Sequence, residues 1–184
     1  YRKSMALFDD TTSIALVGIR QENAADANTA KAELVPASSL ITSGSLVRLS
    51  AWKEAGGFEE KLFIDEVDHE YCYRLLEKGK EVMLFTGVTL VHQLGKTMLR
   101  GFLGLFRKYR TIHHPRRLYF IVRNYCYVRK KYKGLLAAEF KKRDGMLLRL
   151  VKNNLFFSGN FFSVLANMYK GYRDYRRNDF SATL

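Results

Sequence analysis

Four carboxylic acids within six positions are the residues best suited to chemistry. They lie in F-I-D-E-V-D-H-E-Y-C-Y-R, which runs from Phe63 to Arg74, and are Asp65, Glu66, Asp68 and Glu70. Apolar residues with helical spacing follow at once, so the acids are predicted to lie on the first turn of a helix. Unpaired backbone N–H groups and the positive end of the helix dipole favour ionised carboxylates there. An ionised carboxylate with a free lone pair can act as a base.

A structural role explains the same acids equally well. Asp65 can be the N-cap of the helix and Asp68 the third residue of a capping-box-like start. From spacing alone, capping and catalysis both remain open.

A glycine turn and a histidine extend the candidate site. Small hydroxyl residues surround Gly44 within residues 38–45, and the missing Cβ would let a ligand approach the backbone. A plain turn explains this pattern as well. His92 directly follows an apolar run, where a ring nitrogen can reach a metal or a phosphate. A hydrogen-bonded histidine at the rim of the core is the more common explanation of such a position.

The elements that must position these side chains alternate between strand and helix, which favours an α/β fold. Strands are predicted over residues 14–19, 34–35, 81–84 and 88–91, with a turn at Thr86-Gly87 between the last two. Helices are predicted over residues 49–55 and from the acidic stretch to Gly79, which should end that helix.

The chain changes character after Lys96. Residues 97–184 are predicted to form a basic, amphipathic helical region, with helices over 116–133, 135–143, 146–157 and 161–175. The longest uncharged run, Asn153 to Tyr169, is shorter than the roughly 20 apolar residues of a membrane-spanning helix.

Charge divides the chain in the same place. Residues 1–95 hold 10 Lys and Arg against 14 Asp and Glu, whereas residues 96–184 hold 21 against 4. So basic a segment should seek an anionic surface, whether nucleic acid, lipid head groups or an acidic partner. The two cysteines, Cys72 and Cys126, have no metal-type spacing and fit a reducing compartment.

Four motifs in order carry a family resemblance. They are T-S-G-S (42–45), G-G-F-E-E (56–60), L-F-I-D-E-V-D-H-E-Y-C-Y-R (62–74) and V-H-Q-L-G (91–95). Together they resemble the C-terminal half of the GT-A domain of family 2 glycosyltransferases, most of all the rhamnosyltransferase-type members of bacterial polysaccharide assembly. R-L-Y-F-I-V-R-N (117–124) is similar to the segment that follows the catalytic domain in these enzymes.

The resemblance implies a partial GT-A, Rossmann-like domain over residues 1–96. It would lack its N-terminal nucleotide-binding half, and a basic α-helical, membrane-peripheral region would follow over 97–184. It also implies an inverting transfer of a sugar, with rhamnose one candidate, from a nucleotide-diphosphate donor to a lipid-linked or polysaccharide acceptor. The 184 residues alone are expected to be inactive.

The resemblance also implies a role for each acid. Asp68 would be the general base that deprotonates the acceptor hydroxyl, a role that contributes about 10²- to 10⁴-fold to the rate. Asp65, Glu66 and Glu70 would bind sugar hydroxyls or position the base.

The remaining implied roles concern the pocket and the metal. Ser43 and Gly44 would line the sugar or acceptor pocket, and Gly57 and Phe58 would form its wall. His92 would help to hold a divalent metal, Mg or Mn, on the leaving diphosphate. The D-x-D motif that this metal also requires is expected upstream of Tyr1.

The expected partners are a nucleotide-sugar donor, a glycan or lipid-linked acceptor and an anionic membrane surface. The location is cytoplasmic, on the inner face of the plasma membrane. No nucleic acid is expected, and a homo-oligomer is left open.

Two other classes of function compete with the enzyme. A nucleic-acid-binding module would use the basic residues interleaved with Tyr and Phe, although the acids at 59–70 would repel a polyanion. In a non-catalytic membrane-peripheral scaffold, the acids would only cap a helix.

Overall fold

The computed structural model describes residues 13–22, 31–91, 97–102 and 105–182. The chain divides into two compact units. One consists of Tyr1–Glu60 and Val67–Leu94, and the other of Lys61–Glu66 and Gly95–Leu184. The six residues that precede the acidic helix therefore belong with the C-terminal unit.

A four-stranded mixed sheet forms the centre of the first unit. Its strands are β1 (Ile14–Glu22), β2 (Leu34–Pro36), β3 (Leu46–Val47) and β4 (Glu81–Val91), in the order β2-β4-β1-β3. β1 runs parallel to β4, whereas β3 and β2 lie antiparallel on the two edges. Ala15, Leu16 and Val17 are all at most 2% exposed, which confirms the prediction of a buried strand here.

The predicted turn at Thr86-Gly87 is wrong, because β4 is one continuous strand. Ile19 pairs with Phe85, and the next residue of β1 pairs with Thr89, so residues 86–88 form a bulge. A Cβ on Gly87 would lie 2.7 Å from the Ala32 Cβ. Close packing therefore explains this glycine.

Two helices pack on the sheet of the first unit. They are α1 (Leu49–Ala55) and α2 (Val67–Glu77). Their buried residues join those of β1 and β4 in one core, which includes Leu16, Ala51, Tyr71, Leu75 and Val82. Gly79 follows α2 with a φ of 71°, and its N–H donates to the Leu76 carbonyl at 3.0 Å. This confirms the predicted end of the helix.

The second unit contains a hairpin and three helices. These are β5 (Thr97–Phe102), β6 (Leu105–Thr111), α3 (Pro115–Tyr132), α4 (Ala137–Phe157) and α5 (Phe161–Arg176). Pro115 is the first residue of α3, as predicted, and the Nδ1 of His114 accepts from the Arg116 N–H at 3.3 Å. No helix in the described ranges is long and apolar enough to cross a membrane.

Two predictions for the basic segment are wrong. Residues 97–102 and 105–111 are not helical but form the antiparallel strand pair β5–β6, in keeping with their Thr, Phe and Tyr content. The helices predicted over 135–143 and 146–157 are a single helix, α4, which runs through Gly145. The mixed α/β content of the chain is as predicted.

Candidate active site

Asp68 lies on the first turn of α2, as predicted, and is partly exposed. No hydrogen bond or ion pair joins its carboxylate to another described residue. The dipole of this 11-residue helix favours a negative charge at that end. Asp68 therefore presents a carboxylate that can accept a proton.

Glu70 lies on the same turn but is fully buried. Its Oε2 accepts from the Arg74 Nη2 at 2.6 Å, and Arg74 also donates to the Ala55 carbonyl at 3.2 Å. This ion pair balances the charge of Glu70 inside the unit. The Glu70 side chain is therefore closed to solvent in this structure.

A largely apolar cavity of about 360 Å³ lies beside the 42–45 turn. It is lined by Thr42, Ser45, Val47, Leu49, Trp52 and Phe58. The rings of Trp52 and Phe58 meet edge to face, with centroids 4.8 Å apart. An aromatic wall of this kind can pack against the apolar face of a sugar ring.

The predicted glycines shape this region without lining the cavity. Gly44 has a φ of 76°, and a Cβ there would lie 2.8 Å from the Ile19 Cδ1. Together with its neighbour Ser43 it forms a turn that the Ser45 N–H closes by donating to the Thr42 carbonyl at 3.0 Å. Gly57 lies against the Trp52 ring.

Asp65 and Glu66 precede α2, so the predicted N-cap role of Asp65 is wrong. Instead Asp65 accepts two hydrogen bonds from Arg117, from Nη2 at 2.9 Å and from Nε at 3.4 Å. Glu66 accepts from the Arg143 Nη2 at 2.5 Å. Both acids are held by helices of the second unit.

The backbone of this segment is unusual. Phe63, Asp65 and Glu66 have φ values of 58°, 55° and 63°, which place three non-glycine residues out of four in the left-handed region. Each costs of order 1 kcal/mol or more and persists only where the surroundings determine it. The segment is therefore held in place by its contacts.

Those contacts come mainly from the side-chain amide of Asn124, which is itself fully buried. Its Nδ2 donates to the carbonyls of Leu62 at 2.7 Å and Ile64 at 2.6 Å, and lies 3.4 Å from that of Asp65. One side chain thus contacts three backbone carbonyls of the segment.

The carboxyl group of Glu66 is shifted in pKa by its surroundings. Burial raises its pKa, and the neighbouring Arg143 guanidinium partly opposes this effect. Its second oxygen, Oε2, is buried without a hydrogen-bond partner among the described residues. In addition, burial and the Arg117 charge lower the pKa of His113.

The predicted metal site cannot be built from the described residues. His92 lies outside them. Within the described ranges, no three His, Cys, Asp or Glu side chains form a group that could hold a metal ion.

Sequence reasoning missed the roles of Arg123, Asn124 and Arg143. Arg123 belongs to the basic segment of the chain, but it is fully buried. The signal was the R-N pair at the end of R-L-Y-F-I-V-R-N, since an arginine on the apolar stripe of a helix needs a buried partner. No feature of the sequence around Arg143 indicated its ion pair with Glu66.

A comparison with characterised proteins gives a partial match to a glycosyltransferase. The chain is 35% identical over 99 residues to "dTDP-rhamnosyl transferase RfbF" of Shigella flexneri. The match covers 53% of this chain and 32% of that protein, so the chain spans about a third of the relative's length. No family model and no solved structure matches the chain. The similarity supports a rhamnosyltransferase-like glycosyltransferase at the level of the family.

Proposed function

We propose that the chain is part of an inverting family 2 glycosyltransferase of bacterial cell-surface glycan synthesis. It would transfer a sugar from a nucleotide-diphosphate donor to a lipid-linked or polysaccharide acceptor. The observation that carries this proposal is the 35% identity to a dTDP-rhamnosyl transferase over 99 residues. Because that relative is named a dTDP-rhamnosyl transferase, dTDP-rhamnose is the donor we propose to test first.

Asp68 is the base in the proposed reaction. Its carboxylate takes the proton of an acceptor hydroxyl while that oxygen forms a bond to the anomeric carbon of the sugar. The bond from this carbon to the diphosphate breaks, and the nucleoside diphosphate leaves with the electron pair. The partly exposed position of Asp68 on the first turn of α2 supports this role, because an acceptor could reach the carboxylate there.

The other predicted residues have supporting roles. Phe58, together with Trp52, forms the aromatic wall for a sugar ring. Asp65 is ion-paired, which suits a residue that supports the base. Glu66 is ion-paired with Arg143, which likewise suits a residue that supports the base.

The divalent metal, Mg or Mn, also remains part of the proposal. It would neutralise the charge of the leaving diphosphate. A D-x-D motif upstream of Tyr1 would supply its main ligands, with His92 as a further ligand. Since the described residues offer no ligand set, no step above depends on it.

An anionic membrane surface is the proposed location of the second unit. Phe162, Leu165, Tyr169 and Tyr172 lie at helical spacing along α5 and are all exposed. A basic helix with such a stripe can lie in the head-group plane. Cosedimentation of the full-length protein with vesicles of phosphatidylglycerol tests this. Equal binding to neutral vesicles, or tighter salt-dependent binding to DNA, would contradict it.

The direct test of the function is turnover of dTDP-rhamnose by the full-length protein. Incubation with Mg²⁺ and membranes that carry the lipid-linked acceptor should release dTDP and label the acceptor. If a panel of nucleotide sugars gives no transfer with any acceptor fraction, the proposal is wrong.

A further inference from the structure

We propose that Asn124 is a positioning residue of the sugar-transfer site, acting through the backbone of residues 61–66. This inference rests on the proposed function. It adds to that function a structural device of the second unit, which holds the acids in place before the first residue of α2.

The chemistry of the amide group makes this role specific. The Asn124 Nδ2 has two hydrogens, and its two short bonds, of 2.7 and 2.6 Å, go to the carbonyls of Leu62 and Ile64. Only a donor can face converging carbonyl oxygens, since an acceptor there would be repelled. The two hydrogen bonds from Asn124 therefore favour the one backbone conformation in which both carbonyls face its amide nitrogen.

Arg123 fixes which way the amide faces. Its Nε donates to the Asn124 Oδ1 at 3.0 Å, so the amide nitrogen must point toward residues 62–65. Arg123 is itself buried against the rings of Tyr119, Phe120 and Phe180, and its Nη2 donates to the Lys61 carbonyl at 3.4 Å.

Two ion pairs hold the same segment by its side chains. Arg117 binds Asp65, and Arg143 binds Glu66. These ion pairs and the Asn124 hydrogen bonds together stabilise the backbone of the segment, although its φ values at Phe63, Asp65 and Glu66 are unfavourable. Glu66 is bonded directly to Val67, the first residue of α2, so a change in the segment reaches Asp68 through one intervening residue.

The test compares two isosteric substitutions in the full-length protein. Asn124→Asp replaces the donor that faces the carbonyls but keeps an acceptor for Arg123. Asn154→Asp is the matched control, because Asn154 is also fully buried and its hydrogen bonds do not involve residues 61–66. Its Nδ2 donates to the Leu150 carbonyl at 2.8 Å, and its Oδ1 accepts from the His113 N–H at 2.8 Å.

We expect Asn124→Asp to lower kcat for sugar transfer at least 100-fold while KM for the donor changes less than threefold. Asn154→Asp should change kcat less than fivefold. In an Asp68→Asn background, Asn124→Asp should lower the residual rate less than threefold, because its effect acts through the base. An equal loss in both backgrounds, or equal losses for the two Asn variants, would overturn the proposal.

Hydrogen exchange provides a readout that does not depend on activity. Amides of residues 63–67 should exchange at least tenfold faster in Asn124→Asp than in the wild type, and at the wild-type rate in Asn154→Asp. Unchanged exchange in Asn124→Asp would refute the positioning role even if the protein were no glycosyltransferase. Absence of sugar transfer by the wild type, with the exchange result as expected, would refute only the proposed function.

If Asn124→Asp does not fold, Arg143 supplies the second pair of variants. Arg143→Lys can still bind Glu66, whereas Arg143→Met cannot. Faster exchange at residues 63–67 in Arg143→Met, restored by Arg143→Lys, supports the role. Equal exchange in both contradicts it.

Discussion

The four clustered acids differ in what their side chains contact. Asp68 has no hydrogen-bond partner among the described residues, and Glu70 is buried against Arg74. Asp65 and Glu66 bind arginines 52 and 77 positions further along the chain. Spacing predicted that all four acids lie on the first turn of a helix, which is right for Asp68 and Glu70 and wrong for Asp65 and Glu66. It could not separate their roles, because two of the partners are distant in sequence.

The raised pKa of Glu66 leads to a pH prediction. A carboxyl group whose pKa is higher in the folded protein adds stability that is fully present below the unfolded pKa, about 4.3. That stability is lost as the pH rises through the folded pKa. In Glu66→Gln, residue 66 has no ionisable group, so its contribution to the free energy of unfolding does not change with pH. Its free energy of unfolding relative to the wild type should therefore increase as the pH rises from about 4 to 7.

Urea unfolding of both proteins across this pH range measures the difference. Glu77→Gln, at an exposed position on α2, serves as the baseline variant. A difference for Glu66→Gln that stays constant, or falls with pH, would contradict the burial of this carboxyl.

The elements show where local sequence signals are sufficient. α1, α3 and α5 were predicted within one residue at each end, since each has an apolar stripe and a proline or glycine near an end. Gly87, in contrast, was read as a turn but packs against Ala32 in a bulge. Sequence alone does not distinguish a glycine that is needed for close packing from a glycine in a turn, because the residue it packs against is not known until the strand pairing is known.

Two helical glycines allow a matched test of this distinction. A Cβ at Gly171 of α5 would lie 2.4 Å from the Tyr119 carbonyl oxygen, whereas nothing lies within 4 Å of one at Gly145 of α4. We expect Gly171→Ala to destabilise the protein by about 2 kcal/mol, because α3 and α5 must move apart. Gly145→Ala should stabilise it by about 0.5–1 kcal/mol, because alanine is the better helix former.

Thermal or urea unfolding of the two variants measures these changes in the free energy of unfolding. The same sign of change for both would mean that the close approach of α5 to α3 is not as described.

At the scale of the whole molecule, the boundary in net charge differs from the boundary between the two compact units. The net charge changes sign near residue 96, which sequence alone detects. The structural division instead assigns Lys61–Glu66 to the C-terminal unit. No composition signal marks those six residues, and their carbonyls accept hydrogen bonds from Arg123 and Asn124. A basic helical segment thus holds the backbone that leads into the proposed base.

The central claim is that Asp68 removes the proton from the acceptor during sugar transfer. The most direct measurement is the kcat of full-length Asp68→Asn with dTDP-rhamnose and the acceptor, beside Glu77→Gln on the same helix. The claim predicts a fall of about 10²- to 10⁴-fold for Asp68→Asn, with the fold intact and Glu77→Gln near the wild-type rate. Transfer by a folded Asp68→Asn at close to the wild-type rate would contradict it.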